Sequence, residues 1–330
     1  MTDSLPFLIA VIVIAVGFGI ANGFNDAANS IATVIGTRSL SAKSAVIMAA
    51  CCEFLGAATG TAVAITIGKG IVDSEFLNMS IVMAGAGAIV IWAVLVTYHG
   101  MPISLTHGLV AGLVGAGIAS GGRSIIIWTV LGKVVSSVGI APLLGFTGGF
   151  LGMVAIMWIF RNTAPEKMRI PFRNLQIISS AMLAYSHGKN DGQMPIGLIA
   201  MALMVYSGSG QFNIPFWAVV VSATAISVGT AVGGWRVIGT MGLKMTRLQP
   251  VQGFVANAAA ASVIEAASHF GIPVSTTHCA SSAIMGVGAT KRLSAVKWGV
   301  ARKIVMTWIV TFPACAILGW LFATVLKFIA

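Results

Sequence analysis

Two short stretches decide how this chain is read: Gly23-Phe24-Asn25-Asp26-Ala27-Ala28-Asn29-Ser30 and, far downstream, His187-Gly188-Lys189-Asn190-Asp191-Gly192-Gln193. Each sets an Asn-Asp step inside apolar sequence. Each is followed by a proline-led hydroxyl cluster that opens another apolar run. The first cluster is Pro102-Ile103-Ser104-Leu105-Thr106-His107 and the second Pro273-Val274-Ser275-Thr276-Thr277-His278. Oxygen-rich interruptions at matching places in two halves of a membrane protein are the usual mark of a transporter's binding site. The pattern points to a carrier of a small oxyanion, coupled to a cation.

Composition supports the membrane reading. Of 330 residues, 57% are apolar and 8% charged, and the mean hydropathy is +0.96, whereas soluble domains carry about 25% charged residues. The run Leu5–Ile20 has Asp3 rather than a basic segment ahead of it, so it reads as a first membrane span and not a signal peptide. The net charge of +11 comes from Lys and Arg in short loops, where it sets orientation in a bilayer; nucleic acid is not an expected partner. Cys51, Cys52, Cys279 and Cys315 form no CxxC pair and read as inert thiols, with no disulfide framework or metal site. Gly85-Ala86-Gly87 and Gly115-Ala116-Gly117 lie in membrane runs and read as helix-packing positions, not nucleotide loops.

The motif pairs lay one half of the chain over the other: residues 1–160 form a first membrane repeat, 161–173 a short basic cytoplasmic joint, and 174–330 a second repeat. Gly56-x-x-x-Gly60 falls on Gly229-x-x-x-Gly233, a spacing that brings helices close. Basic loops in one half face less basic counterparts in the other. Arg38 and Lys43 oppose the uncharged Ser207–Gln211, and Arg236, Lys244 and Arg247 oppose Lys69, Asp73 and Glu75. By the positive-inside rule the halves are inserted upside down relative to each other. The expected fold class is an all-α integral membrane protein, an inverted 5+5 repeat with discontinuous helices. Five crossings are expected near 5–37, 44–68, 78–98, 103–121 and 134–160, and five near 174–206, 214–233, 251–269, 274–290 and 304–326. The first and sixth hold the Asn-Asp steps and are expected to be broken.

Eight acids occur, and Asp26, Glu53, Asp191 and Glu265 fall inside apolar runs, where an acid costs about 2.5–3.5 kcal/mol to insert. Asp26 and Asp191, with Asn29, Glu53 and Glu265, are the candidates for cation binding or coupling, and Na⁺ at Asp26 and Asp191 is the metal expectation. A proline in the first turn of a helix needs no N–H partner, and the hydroxyls and free backbone N–H groups behind it form an anion site aided by the helix dipole. Ser104, Thr106, Ser275, Thr276 and Thr277, with Asn25 and Asn190, are accordingly the candidate oxyanion ligands. His107 and His278 are read as hydrogen-bonding to neighbouring helices. Lys189 either attracts an anion or pairs with an acid. No catalytic residue and no cofactor is expected.

At these residues the chain resembles the inorganic phosphate transporter (PiT) family. Gly23–Thr33 is similar to the family's first signature and Ser186–Gln193 to its second. Gly233-Gly234-Trp235-Arg236, Pro273–His278 and Gly286–Arg292 resemble further family blocks. The resemblance spans essentially the whole chain. It implies a low-affinity phosphate carrier of the cytoplasmic membrane, driven by Na⁺ or H⁺, in which inverted repeats alternately expose the site. It also carries ion and phosphate handling to Asn25, Asp26, Asn190 and Asp191, and phosphate contact to the Ser and Thr residues above. The expected partners are inorganic phosphate, Na⁺ or H⁺ and the lipid bilayer; a homodimer and a cytosolic accessory protein are left open. Family members often carry Glu where Asn257 stands here, and Glu265 is the candidate substitute. The alternatives are a sulfate or metal–phosphate permease of the same fold, or a membrane-embedded enzyme. Sulfate carriers of this kind lack the Asn-Asp step, and the chain has no aspartate-rich cluster of the kind a membrane transferase would use.

Overall fold

A computed structural model describes residues 4–329, and Asp3 lies outside them. Among the described residues the regular elements are all helical, thirteen α-helices with short 3₁₀ and π turns. Helix α1 (Leu5–Gly36) is followed by α2 (Ala42–Ala57) and α3 (Ala62–Gly70), which meet at a 65° bend. Helices α4 (Met79–Tyr98) and α5 (Leu105–Gly121) form a hairpin, and α6 (Trp128–Ile159) completes the first half. The second half runs α7 (Pro165–Asp191), α8 (Gln193–Ser207), α9 (Phe216–Val232), α10 (Trp235–Gly239), the hairpin α11 (Pro250–His269) and α12 (Thr276–Ala289), and α13 (Trp298–Ile329). The basic joint is not a free linker: from Pro165 onward it is already the start of α7. Gln176 Oε1 there accepts from Thr37 and Ser39, and Arg173 donates to the Ser39 carbonyl.

The two Asn-Asp spans differ. Helix α1 runs unbroken through Asn25-Asp26, against expectation. The sixth span is divided at its Asn-Asp step as expected, α7 ending at Asp191 and α8 starting at Gln193, with Gly192 between them in right-handed helical dihedrals. The sharp bends instead follow α2 and α9, the latter at 60°. Each GxxxG explains one of them. Its first glycine lets two backbones touch, Gly56 against Tyr185 and Gly229 against Ile20 and Phe24. Its second, Gly60 (φ +98°) in the turn between α2 and α3 or Gly233 (φ +71°) at the C-cap of α9, adopts a backbone conformation open mainly to glycine. No positive-φ residue directly follows Asn25-Asp26, and α1 continues through it.

The hairpins decide the architecture. Asp73 N donates to Ile125 O and Ile127 N to Ile71 O, so the first hairpin enters and leaves at one end of the molecule. At the second, Lys297 N donates to Met245 O and the Thr246 hydroxyl to Ala295 O. Two apolar cores mirror this arrangement. One joins the N-terminal half of α1 to α4 and α5; the other joins the C-terminal half of α1 to α11 and α12. The hairpin tips meet inside, where the Thr106 hydroxyl donates to Val274 O at 3.1 Å and the His107 and His278 rings lie 5.1 Å apart. Long helices α6 and α13 flank the hairpins and turn Leu143, Leu151, Ile309 and Ile317 outward, as lipid-facing spans do.

Backbone contact between spans predicts where side chains are not tolerated. A Cβ at Gly188 would meet the Glu53 backbone, and one at Gly229 the Ile20 backbone, whereas Gly132 has open space. Gly188→Val and Gly229→Val should each lower stability by about 1–3 kcal/mol through overpacking, while Gly132→Ala in the same assay should leave it level or raise it. Thermal unfolding in detergent reads both. Equal shifts at all three positions would refute the close-packing account.

Candidate functional site

Both Asn-Asp steps come to the centre, and each asparagine holds a hairpin tip. Asn25 Nδ2 donates to Thr97 Oγ1 (2.6 Å) and Met101 O (3.5 Å), while its Oδ1 accepts from Ile103 N (3.3 Å). Asn190 lies 2.9 Å from Ser268 Oγ, and its amide nitrogen, turned the other way, reaches Val274 O and Asp191 Oδ1 at 3.1 Å. Thr97 and Ile103 in one half thus correspond in place to Ser268 and Val274 in the other. The asparagines set where the tips sit, one helical position ahead of the acids.

The proline-led segments differ in one detail from the expectation. Pro102 and Pro273 stand two residues before the N-caps, which are Ser104 and Ser275. Each cap oxygen accepts from a histidine N–H three residues on, at 3.2 and 3.1 Å. The Ser104 and Ser275 oxygens thus cap their helices as acceptors, which leaves each O–H able to donate; Ser104 Oγ also lies 2.8 Å from His107 Nδ1. Thr106 spans the tips, as described above. Thr276 and Thr277 face the acids: the Thr277 hydroxyl donates to Asp26 Oδ1 (2.8 Å), and the Thr276 hydroxyl lies 3.2 Å from Asp26 Oδ2 and 3.4 Å from Asp191 Oδ2. Asn29 donates to Thr277 Oγ1 (3.0 Å), which orients it toward Asp26.

His187 stands between the two aspartates. Its Nε2 is 3.7 Å from Asp26 Oδ2 and 3.6 Å from Asp191 Oδ2, and its Nδ1 is 3.0 Å from Glu53 Oε1. The other oxygen of Glu53 accepts from the Thr230 hydroxyl, which also lies 3.3 Å from Gly23 O. Asp26, His187 and Asp191 each offer a ligand atom within 4.8 Å of the others. All of these side chains are buried. Buried charges persist only when paired, hydrogen-bonded or metal-bound, so three carboxylates around one imidazole form a site suited to a cation. His187 and Thr230 were not singled out from the sequence. His187 occupies the place of Asn22 in the overlay, and a histidine four residues before an acid on one helix was the signal available.

Glu265 is not part of this cluster. Its carboxylate is 41% exposed and pairs with Lys189 on the outer side of α7 and α11, so Lys189 takes the ion-pair alternative. Asn257 is buried and accepts from Thr33 at 3.0 Å. Glu265 lies eight residues further along the same helix, about 12 Å away, and does not stand in for an acid there.

Residues 22–319 match the sequence profile described as the phosphate transporter family. A probable low-affinity inorganic phosphate transporter of Rhizobium meliloti is 41% identical over 321 residues, 96% of each chain. One of Bacillus subtilis is 37% identical over 318 residues, again 96% of each. Among solved structures, one described as the sodium-dependent phosphate transporter superposes with a TM-score of 0.91 at 27% identity, covering 99% of this chain and 100% of that one.

The two non-motif acids should behave differently. Glu53→Ala strands buried polar groups on His187 and Thr230 and should lower stability by about 1–3 kcal/mol. Glu265→Ala breaks a partly exposed pair worth about 0–1 kcal/mol. Thermal unfolding of the two variants under one condition checks the ranking, and the reverse order would overturn the placement of both.

Proposed function

Because the chain belongs to the phosphate transporter family, we propose that it imports inorganic phosphate across the cytoplasmic membrane by symport with a monovalent cation, Na⁺ or H⁺. It is a multi-pass membrane transporter and not an enzyme. One observation carries the reading: a single hydroxyl, that of Thr276 at the start of α12, lies within hydrogen-bond reach of both motif aspartates.

The physics of a buried anion site gives the steps. Asp26 and Asp191 take the cation, with Glu53 and His187 completing the charge around it. Their carboxylates then stop repelling an arriving dianion in a low-dielectric interior. Asn29 holds Thr277, and a bound cation draws the carboxylates away from Thr276 and Thr277, releasing two hydroxyl donors. Phosphate oxygens take those hydroxyls together with the unpaired backbone N–H groups at the starts of α12 and α5, where Thr106 sits. Asn25 and Asn190 act one step back, by fixing the tips. Paired contacts from the two halves support repeats related by a two-fold axis in the membrane plane, whose rocking opens the site alternately to each side. The basic loops, Arg38 and Lys43 among them, support placing the joint in the cytoplasm.

Radiolabelled phosphate uptake into proteoliposomes, with Na⁺ and pH gradients imposed separately, names the coupling ion. Wild-type uptake should follow one gradient, fall to the level of empty vesicles in Asp191→Asn and Asp26→Asn, and persist in Glu265→Gln. Uptake that survives either aspartate substitution would refute the site. Folded protein that takes up sulfate and not phosphate would refute the substrate.

A further inference from the structure

A groove of about 540 Å³ lies on the outer face of α13, against the tip of the first hairpin. It is lined by Met101, Gly299, Arg302, Lys303, Met306 and Thr307. We propose that this groove binds the headgroup phosphate of an anionic phospholipid, with one acyl chain lying along α13.

Three features of the groove select this ligand. The first is charge. Arg302 and Lys303 are exposed and adjacent, and among the described residues neither pairs with a carboxylate. Two uncompensated cations at one spot call for an anion, and the nearby Lys291, Arg292 and Lys297 raise the local potential further. The second is depth. Trp298, 47% exposed, begins the helix, and tryptophan marks the headgroup level of a bilayer. Arg302 and Lys303 follow one turn deeper, within reach of a lipid phosphate by extension of their side chains. The third is continuity. Positions 302, 306, 309 and 310 share one face of the helix, and Met306, Ile309 and Val310 are exposed large apolar residues. Cations leading directly into an apolar stripe fit an amphiphile. A free phosphate ion would leave the stripe unused.

The site also touches the transport machinery. Met101 forms one wall of the groove, and its carbonyl accepts from Asn25, the residue preceding Asp26. Gly100 beside it has φ +70° and packs on Arg236. A lipid held against Met101 therefore steadies the hairpin tip that Asn25 grips. The corresponding groove in the other half, between α6 and α11, contains Lys133 as its only cation, so the two-cation site belongs to one end of the molecule.

The test counts lipids and does not depend on phosphate transport, so its failure is separable from failure of the functional reading. Full-length protein in phosphatidylcholine nanodiscs doped with phosphatidylglycerol is analysed by native mass spectrometry. Wild type should retain one phosphatidylglycerol. Arg302→Gln/Lys303→Gln should weaken retention by about 30-fold, the factor expected from two near-surface cations. Lys291→Gln/Arg292→Gln, in the loop outside the groove, should retain it. All substituted side chains are exposed, so matched melting temperatures check folding. Equal retention by the groove variant, or equal loss in the loop variant, would overturn the site. Displacement of the lipid by millimolar inorganic phosphate would overturn it in favour of the free ion.

Discussion

The structure depends on keeping Asp26, Glu53 and Asp191 inside a bilayer. Carboxylates buried together repel one another and lose their hydration, and each survives only through partners placed on other helices. The partners come from across the fold: His187 from α7, Thr230 from α9, Thr276 and Thr277 from α12. No one of these helices can shift without unpairing a buried charge. That requirement explains why the spans are drawn so close that Gly23, Gly188 and Gly229 have no room for a side chain.

The same requirement divides labour along the chain. Residues at the tips supply hydrogen-bonding helix ends, and α1 and α7 supply the acids. Glycine at 60 and 233 stands where the backbone must turn, whereas α1 carries Asn25 and Asp26 on an unbroken helix that fixes their direction. Acids facing the hydroxyls at a helix start suit a site that exchanges one ligand for another. The threonine hydroxyls that now donate to Asp26 are the ones an arriving oxyanion would use.

The two halves are alike in their backbone contacts and unlike in their side chains. Asn25 accepts from Ile103 N and the Asn190 amide reaches Val274 O at the matching tip, but Glu53 faces Ile226 in the overlay and His187 faces Asn22. The polar cluster joins the matched Asp26 and Asp191 to the unlike Glu53 and His187. Asymmetry extends to the surface, where Lys189 and Glu265 pair on one side and the Arg302–Lys303 groove opens at one end.

Much of this was legible in the residues alone. Hydropathy fixed the membrane setting, because 8% charge leaves no means of solvating a globular surface. The recurring Asn-Asp and Pro-x-Ser motifs pointed to residues that the structure brings together at the centre: Asp26 and Asp191, and the hairpin tips at Thr106 and Val274. The bends after α2 and α9, the contact of Glu53 with His187 and the pairing of Glu265 with Lys189 on the outer side were decided by tertiary structure. Glu53 and Glu265 look equivalent along the chain, each a lone acid in an apolar helix. What separates them is whether the helix face carrying the acid turns toward His187 or toward the outside, and that is set by packing between residues far apart in the chain, Glu53 against His187 and Glu265 against Lys189.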